Sequence, residues 1–250
     1  MEILYTVFAF IFGLVFGSFF NVVGLRVPKK ESISTPPSHC TNCDRRLTAI
    51  DLVPVFSYII LRGKCRTCGV KISPIYLLTE LVTGVLFALA VWNLGVTIET
   101  AVALLFISLL MIIVVSDFAY MLIPDKVLLF FLPILAMGRI LSPLDPWWDS
   151  ILGAVIGFGI LYLIAIVSRG GMGGGDIKLF FLIGLVLGTM NTLLTLFIAA
   201  FIGMIAGIII LKVRNQGRKT PVPFGPSIAL AAIIVYFYGE QIMDWYVSLF

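Results

Sequence analysis

Charge is scarce in this chain. Only 12% of its 250 residues are Asp, Glu, Lys or Arg, about half the roughly 25% of a soluble domain. Histidine is nearly missing, with His39 alone, which disfavours a Ser-His nucleophile or a two-His metal centre. No Gly-Lys-Ser/Thr follows the glycine-rich run at 170–175, which disfavours a nucleotide-hydrolysing phosphate loop. No Rossmann unit with a Gly-rich turn after a strand is present. Repeats and low-complexity tails are also lacking. What the chain has in quantity is apolar residues, 60% of the total, the composition of a polytopic membrane protein.

Segments long enough to cross about 30 Å of hydrocarbon, at roughly 20 residues each, recur at 3–25, 75–93, 98–116, 126–141, 150–168, 177–190, 192–211 and 227–247. The expected fold is therefore an all-α polytopic membrane protein of about eight transmembrane helices. A first helix at 1–25 leads into a small cytoplasmic loop domain at 26–74, and a core of about seven helices fills 75–250. The first segment lacks a basic start and a small-residue cleavage site, and it reads as a retained helix. Eight crossings with the N-terminus outside put loops 26–74, 117–126, 169–178 and 212–226 in the cytoplasm. Those loops hold sixteen of the 17 Lys+Arg, leaving Arg139 on the far side, as the positive-inside bias requires.

The four cysteines form two pairs, Cys40-Thr41-Asn42-Cys43 and Cys65-Arg66-Thr67-Cys68, inside the basic loop. A reducing compartment disfavours disulfides. Four thiolates at this spacing suit a closed, structural Zn²⁺ site, and metal binding supplies folding energy that so short a loop cannot get from a core. Redox chemistry at the two pairs is the alternative. His39 is either a substitute ligand or a solvated loop residue.

Two acids stand out because a carboxylate beside membrane-length apolar segments is costly without a partner or a task. Asp117 ends one such segment. Asp176 follows Gly173-Gly174-Gly175 and opens another. Both fall at cytoplasmic helix ends, and paired carboxyls can hydrolyse a peptide bond, one as base and one, protonated, polarising the carbonyl. Asp176 as a helix cap with Arg169 and Lys178 as interface charges is the structural alternative. Asp125 is a helix-start or ion-pair residue, or a substitute for Asp117. Glu80, inside the second helix, needs either an interhelical ion partner or a ligand. Other function classes compatible with the residues are a membrane thiol oxidoreductase, a zinc-carrying assembly scaffold, and a small ion transporter. The last is disfavoured because both acids lie at one face instead of the midplane.

Gly17-Ser18-Phe19-Phe20-Asn21-Val22, Ser38-His39-Cys40 with Cys43, Pro54-Val55-Phe56-Ser57-Tyr58, Arg62-Gly63-Lys64-Cys65 and Tyr76-Leu77-Leu78-Thr79-Glu80-Leu81 occur in order. Asp117 with Ile123-Pro124-Asp125, Gly173-Gly174-Gly175-Asp176-Ile177-Lys178 and Pro223-Phe224-Gly225-Pro226 follow them. In this combination the chain resembles the bacterial type IV prepilin peptidases, bifunctional leader peptidase/N-methyltransferases of the GxGD aspartic membrane protease class. The resemblance implies that Asp117 and Asp176 form the catalytic dyad, and that the dyad removes a short basic leader before the apolar stem of a prepilin or pseudopilin. It implies methylation of the new N-terminus with S-adenosyl-L-methionine, for which Glu80 is the candidate contact. The implied partners are those substrates and membrane lipid, with no nucleic acid, and the implied location is the bacterial cytoplasmic (inner) membrane.

Overall fold

The computed structural model describes residues 2–168, 171–213 and 223–249. Arg169 and Gly170, and Arg214, Arg218 and Lys219 of the expected basic loop 212–226, lie outside the described residues. Among the described residues there is no strand. The helices are α1 (Glu2–Arg26), α2 (Phe56–Ile60), α3 (Pro74–Leu94), α4 (Ile98–Tyr120), α5 (Asp125–Leu141), α6 (Asp149–Val167), α7 (Gly174–Val213) and α8 (Gly225–Val247), with a 3₁₀ turn at Ala49–Leu52. Each of the eight apolar segments read from the sequence falls on one of them. Among the described residues six helices, α1, α3, α4, α6, α7 and α8, are long and apolar enough to cross a membrane. α5 has 17 residues and contains Pro133, at the lower end of spanning length.

The chain divides into two compact units, Met1–Val115 and Ser116–Phe250. In the first, α1 and α3 pack closely because small residues face each other. A Cβ on Gly13 would lie 2.7 Å from the Gly84 Cα, and one on Gly17 would lie 2.8 Å from the Glu80 Cα. With lipid as apolar as the helix surfaces, such close backbone approach is what dispersion can use to hold two spans together. α3 starts on Ser73, whose Oγ accepts the Ile75 N–H at 3.4 Å, with Pro74 at its first position, where the missing N–H costs nothing. The core of α4 (Leu109, Leu110, Ile113, Val115) is fully buried.

In the second unit α7 is not one rod. Gly188 has φ 76° and ψ −179°, a region open essentially to glycine alone. The chain reverses there. A Cβ on Gly157 of α6 would meet both the Phe180 carbonyl oxygen at 2.8 Å and Thr192 Cγ2 at 2.9 Å. In a straight helix, residues twelve apart are about 18 Å apart along the axis. α7 is therefore a helical hairpin, and the segments expected at 177–190 and 192–211 are its two arms. The backbone groups freed at the bend are taken up by charges. Buried Arg139 donates Nε–H to the Val186 carbonyl at 2.9 Å, and Asp149 Oδ2 accepts the Thr189 N–H at 3.1 Å. A cation at the end of one arm and an anion at the start of the next also suit the helix dipoles. This explains why Arg139, the lone basic residue outside the expected cytoplasmic loops, sits where it does.

Candidate active site and candidate metal centre

Asp117 lies in the last turn of α4. The helix ends because Met121 takes φ 52° while its N–H closes on the Asp117 carbonyl at 2.9 Å. Ser116 then donates its hydroxyl to the Leu122 carbonyl, folding residues 121–124 back over the helix end. The Asp117 side chain is buried. Its Oδ2 accepts the Gly225 N–H at 2.7 Å, a partner 108 residues away. Gly225 opens α8 and must be glycine, since a Cβ would stand 2.8 Å from that same oxygen and 3.0 Å from the Asp117 Cβ.

Asp176 is half-buried in the first turn of α7. It is not the N-cap. It sits three residues past Gly173, and its carboxylate accepts the Gly173 N–H, as the third residue of a capping box does. The capping reading is thus satisfied in altered form, without occupying the whole side chain. Gly175 brings the α7 start against Ile123, with only 2.7 Å between a Cβ there and the Ile123 Cβ. This contact brings the start of α7 against residues 121–124, which fold back over the end of α4, so Asp117 and Asp176, 59 residues apart in sequence, lie at neighbouring helix ends within electrostatic reach of each other. Two carboxyl groups brought close can hold one proton between them.

Asp125 takes the other course open to it. It opens α5 and forms an exposed ion pair with Lys178, whose Nζ lies 2.8 Å from both of its oxygens. Glu80 is buried, and among the described residues no cation meets it. Its Oε2 accepts the Val55 N–H at 2.7 Å, and the Ser18 hydroxyl donates to it as well.

The four cysteine sulfurs lie within 4.8 Å of one another, and Cys40 Sγ and Cys68 Sγ are 3.7 Å apart. A tetrahedron with metal–sulfur bonds of about 2.3 Å has edges of about 3.8 Å, so the cluster fits a Zn²⁺-sized ion. The two pairs are built alike, 25 residues apart. Cys40 donates its N–H to Arg45, and Cys65 to Val70; Asp44 and Gly69 return N–H bonds to Cys40 and Cys65; Leu47 reaches Ser38, and Ile72 reaches Gly63. Asp44 and Gly69 both adopt positive φ, 51° and 71°. Of the two, Gly69 is the residue type that suits such a turn, and the structural repeat is not plain in the sequence because its identities differ outside the cysteines.

Asp51, which the sequence reading passed over, clamps the two knuckles together. One oxygen meets Arg45 Nη2 at 2.6 Å and the other meets Arg66 Nε at 2.9 Å. The Thr48 N–H, with the Thr48 hydroxyl and the two guanidinium charges, holds the Asp51 carboxyl below its ordinary range. N–H groups of Cys68 and Thr67 bring the Cys65 thiol down to about 6. Cys43, despite the Arg45 N–H, is pushed up to about 11 by desolvation and by the neighbouring sulfurs. Four thiolates this close repel one another unless a dication sits among them.

Two family models cover most of the chain. The Bacterial Peptidase A24 N-terminal domain matches residues 11–94, which contain the cysteines and Glu80. The Type IV leader peptidase family matches residues 104–208, which contain Asp117 and Asp176. A Bacillus subtilis (strain 168) protein named prepilin leader peptidase/N-methyltransferase is 44% identical over 240 residues, 96% of this chain and 97% of the relative. The chain belongs to the type IV leader peptidase family. Proteins of the same name from Aeromonas salmonicida, 31% identical over 98% of this chain and 94% of theirs, and from Pseudomonas putida, 32% identical over 94% and 91%, lie further off. No solved structure matches the chain. As a member of this aspartic peptidase family with six membrane-length helices, the protein is an integral membrane enzyme.

Proposed function

We propose that this leader peptidase family member cleaves the short basic leader from type IV prepilins or pseudopilins and then methylates the new N-terminal amine. The reading of the first step is supported by Asp117 and Asp176 at neighbouring helix ends, each holding a backbone N–H, beside glycines that leave room for an extended substrate strand. One carboxylate takes a proton from water as the water oxygen attacks the scissile carbonyl carbon. The protonated partner donates to the carbonyl oxygen, and the proton passes to the leaving amide nitrogen as the C–N bond breaks. The Gly225 N–H holds one oxygen of Asp117 and thereby aims the other.

The second step uses S-adenosyl-L-methionine, which supplies a methyl group from its sulfonium while the amine loses a proton. Glu80 is the candidate contact for the donor, as a buried carboxylate that no cation meets among the described residues of 1–115. Cys40, Cys43, Cys65 and Cys68 would hold Zn²⁺, whose role when bound is to lock the 26–74 module on its two knuckles. Residues 75–250 form the peptidase core. The charge distribution supports an N-terminus outside and a dyad facing the cytoplasm of the bacterial inner membrane, where uncleaved leaders remain.

The test is incubation of purified protein in detergent with a prepilin peptide, followed by mass spectrometry, with and without S-adenosyl-L-methionine. Wild type cleaves, and adds a methyl mass only with the donor. Asp117→Asn and Asp176→Asn each lose cleavage by about 10²–10⁴-fold or more while keeping their helical content. Near-normal cleavage by either variant removes that residue from the dyad. About one zinc per chain and no titratable disulfide separates this enzyme from a thiol oxidoreductase.

A further inference from the structure

The module between α1 and α3 carries apolar side chains that are left exposed among the described residues. Phe56, Ile59 and Ile60 are 62%, 60% and 74% exposed. Their i, i+3, i+4 spacing puts them on one face of α2. Ile50, 67% exposed, adds to this from the adjoining 3₁₀ turn. Arg62 and Lys64 follow immediately, both exposed and in no ion pair among the described residues. Asp51 of the same module is already held by Arg45 and Arg66.

The depth of this face is set by the Glu80 contact. Glu80 is six residues into α3, about 9 Å along the helix from Pro74. Ser18, which also bonds it, is eight residues, or about 12 Å, before the end of α1. The Val55 N–H that Glu80 accepts belongs to the residue just before α2, in a strained conformation for a β-branched side chain, φ 64° and ψ −54°. The start of α2 is therefore pinned beside the membrane-spanning parts of α1 and α3, below the level at which α3 begins. A short helix with one apolar face, at this depth and flanked by cations, has the make-up of an element lying in a bilayer interface.

We infer that Phe56, Ile59, Ile60 and Ile50 insert into the bilayer surface, with Arg62 and Lys64 engaging anionic lipid headgroups. The metal module is thereby seated on the membrane as well as tethered to it. Glu80 is the latch that sets its height. This seating is independent of the peptidase reading and does not involve the dyad.

The experiment is hydrogen exchange of the whole zinc-loaded protein, one chain per nanodisc, in discs of phosphatidylcholine alone or with phosphatidylglycerol. Amides of 49–60 exchange about tenfold more slowly in the anionic discs, and the difference disappears in high salt. Phe56→Glu with Ile60→Glu abolishes the protection while zinc content and melting temperature stay at wild-type values. Arg62→Gln with Lys64→Gln removes only the dependence on phosphatidylglycerol. Equal exchange in both discs overturns the inference. So does protection that appears only on adding prepilin peptide, or only when discs hold two chains, since the face then serves a substrate or a second copy.

Discussion

At the scale of single residues, the site depends on groups that the scarcity of charge made conspicuous and on others it could not reveal. Asp117 and Asp176 were legible because a carboxylate among apolar segments has so few explanations. Gly225 was visible only as part of a Pro-Phe-Gly-Pro stretch, since nothing local says that its N–H is aimed at a side chain 108 residues earlier. Gly225→Ala places a methyl group 2.8 Å from Asp117 Oδ2. It should lower the cleavage rate by about 10–100-fold, as a displacement of a catalytic group by a fraction of an ångström to 1 Å does, and a kcat measurement with unchanged melting temperature checks this. Asp51 makes a pH prediction. Its folded pKa is lowered, so its contribution to stability is present above the unfolded value of about 3.9 and fades as pH falls through the folded one. Acid also releases the metal by protonating thiols, in wild type and variant alike. The melting-temperature gap between wild type and Asp51→Asn should thus be constant above about pH 5 and close below about pH 4.

Elements were easier to read than their ends. Long apolar runs betray themselves by composition, so every expected span landed on a helix. The bend of α7 was legible as a break between the segments 177–190 and 192–211, but its residue was not, because one glycine among many carries no mark of its backbone angles. The charges that bracket it, Arg139 and Asp149, lie in α5 and α6. Glu80 shows the opposite lesson: the need for a partner was legible, but the partner proved to be a backbone N–H of a loop residue, Val55, instead of a cation. Gly188→Ala forces a residue with a Cβ into a glycine-only conformation and drives that Cβ into Asp149. A loss of about 1–3 kcal/mol is expected from the backbone alone, read as a lowered unfolding midpoint in detergent. An unchanged midpoint would mean that the reversal does not sit at Gly188.

For the whole molecule, the two kinds of sites fail separately. Cys40→Ser removes one of four sulfurs and should cost the protein its zinc and the exchange protection of residues 38–72. The dyad is built entirely within residues 116–250, and the fold of that unit should survive. Metal analysis beside circular dichroism decides it: retained zinc with an unchanged melting profile would end the structural-metal assignment.

The hairpin of α7 also bears on how the protein is made. Its turn is a single residue, so there is no polar segment between the arms for the secretion machinery to carry across. The Gly188 carbonyl is met by the Thr192 hydroxyl of the second arm, but the Val186 carbonyl and the Thr189 N–H are met by Arg139 and Asp149, both synthesised earlier. The two arms must leave the translocon together, as one wedge, onto α5 and α6 already waiting in the bilayer.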